Sequence, residues 1–326
     1  MYSFSNVYGH EEIISNLRKF LANKSYSHAY IFDGTVGVGK KLLSGIFAKA
    51  LQCSESARPC NECISCRAFD VKNHPDIIYI EASGRTTGVD DIREQVTNIV
   101  HTRPYKYEHR VFILDGADKM TTQAQNALLK TLEEPPPYAV FLLISENVNN
   151  FLPTILSRCV TLALKPLQTE LVERYLRENG YEHADIGAVS LASGGSIGKA
   201  ITLIADETFL EHQKEVCDIL KSLPMADLWD ILLLAKRLEK LKEHSARSLN
   251  FIQIWYRDAL VYKASGSLER LMQKDLAHEI AAFCEKMPMK KLALGMDALI
   301  EAGDALSSNS NYLLTMEVML MKMAGY

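Results

Sequence analysis

The chain has 326 residues, a formal net charge of −4 and a sequence pI near 6.2, with 48% hydrophobic and 23% charged residues. That balance is ordinary for a water-soluble globular protein with room for roughly two or three domains, and it excludes one that grips nucleic acid through phosphate neutralisation alone. No apolar run reaches membrane-spanning length and Met1–Asn6 lacks a basic-then-apolar leader, so the expectation is a cytoplasmic protein without disulfides.

The first element is an amphipathic helix with Ile13, Ile14, Leu17, Phe20 and Leu21 on one face. An apolar strand, Ala29–Asp33, follows and runs into Gly34-Thr-Val-Gly37-Val-Gly39-Lys40-Lys41. A second helix then carries Leu42, Leu43, Ile46, Phe47 and Leu51. Strand, glycine-rich loop and helix in this order form the phosphate-binding pattern G-x-x-x-x-G-K-[ST], in which glycines let backbone N–H groups turn inward and the lysine adds a point charge. Gly34, Gly37, Gly39, Lys40 and Lys41 are therefore candidate nucleotide-binding residues. The last letter departs from the pattern, because Lys41 stands where a hydroxyl would hold Mg²⁺, and a protonated lysine has no lone pair to give.

Beyond that helix, four of the seven cysteines cluster as Cys53, Cys60, Cys63 and Cys66. In a chain not expected to form disulfides this spacing reads as a four-thiolate structural site suited to zinc, closed by the Ser54–Pro59 excursion. An iron–sulfur cluster is the competing reading, although no distant Cys-Pro follows. Cys159, Cys217 and Cys284 lie singly in apolar stretches and read as core.

Strands are then expected over Asp76–Glu81, Arg110–Asp115, Ala139–Ser145 and Cys159–Leu164, with helices at Val89–Val100 and Thr121–Leu132. Glu133-Glu-Pro-Pro-Pro137 is a hard stop. Alternation of strand and helix predicts an α/β fold with a parallel sheet covered on both faces. Asp115 ends an apolar strand in the manner of a Walker B acid. The next residue is Gly116, with no carboxylate to orient a water, and Asp118 is offset by three positions. Phosphoryl transfer rests on positioning and charge stabilisation, so both departures argue against hydrolysis. Ser157-Arg158-Cys159 lies at a helix-to-strand turn. There Arg158 reads in two ways, as an arginine finger offered to a neighbouring subunit or as a cap on its own helix. After Pro166 only helices are expected, with breaks near Pro224, Ser265–Ser267 and Pro288.

Taken in order, these motifs resemble the clamp-loader subunits of bacterial DNA polymerase III, of the AAA+ class. The resemblance is carried by Gly9-His-Glu, Ser27-His-Ala-Tyr, the P-loop, the four cysteines and Gly88-Val-Asp-Asp-Ile-Arg93. The Asp115 strand, Asn126–Pro136 and Ser157-Arg-Cys complete it. It implies a P-loop AAA+ α/β domain over 1–165 with a zinc module at 53–66, a small helical lid over 166–206 and an all-α collar over 207–326. It further implies a non-hydrolysing stator, part of a DNA-directed DNA polymerase holoenzyme but without catalytic activity of its own. Such a subunit joins ATPase subunits and a delta subunit in a hetero-pentameric ring that loads a sliding clamp on primed DNA, and it presents Arg158 in trans. ATP or ADP is the implied nucleotide and Zn²⁺ the implied metal. Gly198 stands where motor members carry a sensor arginine, with Lys199 adjacent. The alternative within the resemblance is a working ATPase subunit, and Lys41 and Gly116 discriminate between the two.

Overall fold

The computed structural model describes residues 2–84, 86–181, 186–206, 208–308 and 310–326. The chain divides into two compact units, one of Met1–Tyr175 with Gly195–Lys199, the other of Leu176–Gly194 with Ala200–Tyr326.

The first unit is built on β1 (Ala29–Asp33), β2 (Ile77–Ile80), β3 (Arg110–Asp115), β4 (Ala139–Ser145) and β5 (Val160–Ala163). Among the described residues these form one sheet in the order β2-β3-β4-β1-β5, and every pairing is parallel. The central strands are apolar except at their ends, as suits strands covered on both faces. Along β1, Tyr30 and Phe32 turn to one face, where they pack with Leu17 of α1 (Glu11–Asn23) and Leu43, Ile46 and Phe47 of α2 (Lys40–Leu51). Ala29 and Ile31 turn to the other. α3 (Ile64–Asp70), whose N-cap is Cys63, was not expected from the sequence.

The predicted helix from Val89 to Val100 takes a different form. α4 (Val89–Ile92) passes into a π-helical turn over Arg93–Thr97, closed by the Asn98 N–H donating to the Arg93 carbonyl at 3.0 Å. Ile92, Val96 and Val100 are all fully buried. The widened turn keeps that i, i+4, i+8 series on the sheet, which an uninterrupted 3.6-residue repeat would rotate away. Opposite them lie Ala124, Leu128 and Leu132 of α5 (Thr122–Glu133), capped by the Thr121 hydroxyl and followed by α6 (Pro153–Leu156). β2 also stops short of its predicted start. The Asp76 carboxylate is fully buried and accepts the N–H groups of Tyr105, Lys106 and Tyr107 at 2.6, 2.9 and 3.1 Å.

α7 (Thr169–Glu178) and α9 (Ile197–Ile204) each begin in the first unit and end in the second, while α8 (Ile186–Ala192) lies in the second. The rest of the second unit comprises α10 (Phe209–Ser222), α11 (Leu228–Glu239), α12 (Ser245–Ser265), α13 (Ala277–Lys286), α14 (Met289–Ser307) and α15 (Tyr312–Ala324). Its core gathers Trp255 and Tyr256 of α12 with Leu238, Phe283, Leu299, Met316 and Met323. A Cβ at Gly295 would lie 2.3 Å from the Tyr256 ring, so glycine is what lets α14 approach α12 this closely. The expected breaks near Pro224, Ser265–Ser267 and Pro288 all fall between helices. The start of the helical region at Glu207 lies outside the described residues. No described helix is long and apolar enough to cross a membrane. Cys217 and Cys284 are buried as expected, whereas Cys159 is half-buried, its thiol pushed up to about 12 by burial.

Candidate functional site

The C-terminal edge of the sheet brings the predicted cradle together. β1 ends at Asp33 and the loop turns at Gly37 (φ 75°) and Gly39 (φ 106°), backbone that side-chain-bearing residues rarely adopt. α2 then starts at Lys40. A Cβ at Gly37 would fall 2.5 Å from Ser196 Oγ, and one at Gly198 would fall 2.8 Å from the Gly37 Cα. The two glycines therefore touch, and the Gly198 N–H donates to the Gly37 carbonyl at 3.0 Å. Ser196 Oγ donates to the Val36 carbonyl at 2.9 Å, tying the start of α9 to the loop. Space remains at Gly39, where a Cβ would meet nothing within 4 Å.

Lys40 is nearly buried, and its ammonium donates to the carbonyls of Gly34 and Thr35. Burial lowers its pKa, opposed by the charges of Glu146, Asp33, Asp118 and Asp115. Three of these acids are already engaged. Asp33 accepts from Ser145 Oγ at 2.9 Å, and Asp118 accepts the Glu146 N–H at 3.3 Å, so its carboxylate turns toward the end of β4. Gly116 adopts φ 68° directly after β3 and carries no side chain. Lys41 and Asp115 meet, Nζ to Oδ2 at 2.5 Å, with side chains 73% and 49% exposed. The residues fit a phosphate cradle. They do not fit the usual metal site, since the position of the hydroxyl ligand carries a cation bound to the remaining acid.

In the isolated chain Arg158 makes its contacts at its own helix end, the cap reading of the sequence. Its guanidinium donates to the Thr154 carbonyl at 2.9 Å and pairs with Glu133 at 2.8 Å, leaving the side chain 34% exposed. Both contacts come from its own chain, one of them a helix-end carbonyl. Glu133 lies within the Asn126–Pro136 motif, yet nothing in the sequence spacing pairs it with residue 158.

The four cysteines converge. Their sulfur atoms all lie within 4.8 Å of one another, with Cys53 and Cys66 buried and Cys60 and Cys63 half-buried. The N–H groups of Cys60, Cys63 and Cys66 point at the sulfurs of Cys53, Cys60 and Cys63 at 3.4, 3.3 and 3.4 Å, donors that favour thiolates. Burial drives the Cys63 thiol upward, but the Cys66 N–H and the neighbouring thiols outweigh it and bring the pKa to about 7. Burial pushes Cys53 and Cys66 up. This donor set can hold a soft, tetrahedral metal ion.

Lys49 was missed from the sequence. It is 0% exposed on α2 and donates to Asn61 Oδ1 at 2.7 Å and to both Asp70 carboxylate oxygens at 2.7 and 2.8 Å. It thereby fastens the cysteine segment, from the loop to the end of α3, onto the helix that starts at the P-loop. The available signal was a lone cation in the apolar run Leu42–Leu51. Lys49→Met should destabilise the first unit by about 2 to 3 kcal/mol, below the full range for breaking a buried pair because Asp70 is partly exposed. Urea unfolding would check this, and an unchanged midpoint would show the staple to be idle.

Comparison with known proteins adds to this geometry. The family described as "DNA polymerase III, delta subunit" matches residues 9–168, and "DNA polymerase III, delta subunit, C terminal" matches residues 207–324. The chain belongs to the DNA polymerase III clamp-loader family of AAA+ proteins. Clamp-loader relatives of more than one subunit type resemble it. It is 37% identical to DNA polymerase III subunit tau/gamma of Haemophilus influenzae over 209 residues, covering 62% of this chain and 30% of that protein. It is 27% identical to subunit tau of Bacillus subtilis over 344 residues, covering 98% of this chain and 61% of that one. Subunit delta' of Bacillus subtilis is 28% identical over 290 residues, covering 87% of each chain. The chain thus spans less than two thirds of the length of the two tau-type relatives.

Proposed function

We propose that this clamp-loader family member is a delta-prime-type stator, which keeps the nucleotide-shaped fold without driving hydrolysis. The observation that carries the reading is the Lys41–Asp115 ion pair beside Gly116. It opposes hydrolysis at two points, because the metal's hydroxyl ligand is a cation and the water-orienting carboxylate is missing. In this reading the chain assembles in the cytoplasm with ATPase subunits and a delta subunit in a hetero-pentameric ring. The ring loads the sliding clamp on primed DNA, with residues 166–206 as a lid and 207–326 as the collar. Gly34, Gly37, Gly39 and Lys40 would hold the phosphates of ATP or ADP, which would supply binding energy and a folded cradle. Cys53, Cys60, Cys63 and Cys66 would hold one structural Zn²⁺, and Arg158 would leave Glu133 to meet a neighbour's nucleotide.

The second reading, an ATPase motor, is favoured by the 37% identity to a tau/gamma subunit. Phosphate release by the purified chain separates the two. The stator shows no turnover above background, and Lys40→Ala changes nothing. Steady wild-type turnover abolished by Lys40→Ala would establish the motor.

A further inference from the structure

The carboxylate at the end of β3 closes on the second residue of α2, where P-loop proteins place the hydroxyl that shares a magnesium ion with the strand-end acid. Lys41 offers three donors and no acceptor, and its Nζ already lies 2.5 Å from Asp115 Oδ2. The other acids near Lys40 do not rebuild a metal site. Asp33 is tied to Ser145 and Asp118 to the Glu146 N–H, while Glu146 is exposed. A divalent ion arriving at Asp115 would stand beside an ammonium held on the same carboxylate, and like charges at that spacing exclude each other.

We infer that the Lys41 ammonium takes the place of magnesium, so that this cradle accepts a nucleoside di- or triphosphate as the metal-free anion. This rests on the nucleotide-binding reading above. Being exposed, the pair adds little to the stability of the free chain. Its importance is positional, because it sets a tethered positive charge beside Lys40 and the start of α2, where phosphate oxygens would lie. A hydrolysing site uses its metal to bridge β- and γ-oxygens. An ammonium on a flexible stem can pair with those oxygens but cannot fix them in line. The same residue would thus support binding while opposing turnover.

The test measures affinity for a fluorescent ADP analogue with and without magnesium, using resin-treated buffer in place of a chelator so that the four-cysteine centre is undisturbed. Wild-type affinity should agree within about twofold between the two buffers, whereas Lys41→Thr should bind at least about tenfold tighter with magnesium. A wild-type affinity that rises about tenfold with magnesium overturns the inference. A second arm needs no nucleotide affinity: Mn²⁺ is titrated while the amide signals of Asp115, Gly116 and Ala117 are followed. Those signals should stay sharp in the wild type and broaden in Lys41→Thr. Equal broadening in both proteins, or none in either, refutes the assignment to Lys41. If the wild type binds the analogue in neither buffer, the nucleotide reading fails by itself and the Mn²⁺ arm still decides the role of Lys41.

Discussion

Arg158→Ala should leave the chain folded and metal-loaded while lowering DNA-stimulated ATP hydrolysis by the reconstituted complex. The stability side follows from the local contacts. Arg158 meets the Thr154 carbonyl and the half-exposed carboxylate of Glu133, and loss of such a surface pair costs about 1 kcal/mol or less. The catalytic side follows from what a planar, permanently charged fork supplies to a transferring phosphoryl group, about a thousandfold or more at the one site it enters. The whole complex should lose that site's share only, since other sites would keep their own fingers. Arg158→Lys should not restore it, because an ammonium cannot engage two oxygens in one plane. Glu133→Gln provides the control that a merely structural arginine would fail. It releases the guanidinium from its pair without removing it, so hydrolysis should persist. A complex with Arg158→Ala that hydrolyses ATP and loads clamps at the wild-type rate would reduce Arg158 to the helix cap seen in the isolated chain.

What the sequence made legible is what repeats locally. Ala29-Tyr-Ile-Phe32 is apolar at every position, and a short unbroken apolar run of this kind predicts a strand covered on both sides. The P-loop was legible because its glycines and Lys40 stand at fixed spacings, and each performs a backbone or charge task that few residues can. The four cysteines were legible for the same reason. Pairings made by the folded sheet were not. Lys41 meets Asp115 only because β3 ends beside the start of α2, and Arg158 meets Glu133 only because the turn before β5 returns over the end of α5. Gly198 stands where the resemblance implies a sensor arginine in motor members, and its contact with Gly37 gives a second cause for glycine: a larger residue there would displace the P-loop backbone. The π-turn at Arg93–Thr97 escaped detection because a helical pattern fixes which residues face the core, not how tightly the backbone winds to bring them there.

Loss of the metal proposed for the four cysteines should have a larger structural effect than any single substitution at the cradle. The purified chain should carry about one zinc per molecule, and Cys63→Ser should lose it, since binding by four thiolates is worth on the order of 10 kcal/mol and is coupled to folding of the segment. Cys63 holds two posts at once. Its sulfur is one of the four ligands, and it is also the N-cap of α3, accepting the Cys66 N–H at 3.4 Å. Serine can still accept the Cys66 N–H, so Cys63→Ser removes the ligand and not the cap, and loss of metal then releases the start of α3 from the cysteine cluster while the Lys49–Asp70 pair continues to hold its end. Hydrogen exchange should accordingly rise across residues 53–66, less at Phe69 and Asp70, and hardly in β1, β3 and β4, which are buried in the sheet. Combining Cys63→Ser with Lys49→Met should extend the exchange through the whole of α3, because both anchors are then gone. Metal content by mass spectrometry and exchange on the same samples decide the matter. Iron with sulfide in the wild-type protein would replace zinc by a cluster. Full protection of residues 53–66 in a metal-free Cys63→Ser protein would show that the module folds without any metal.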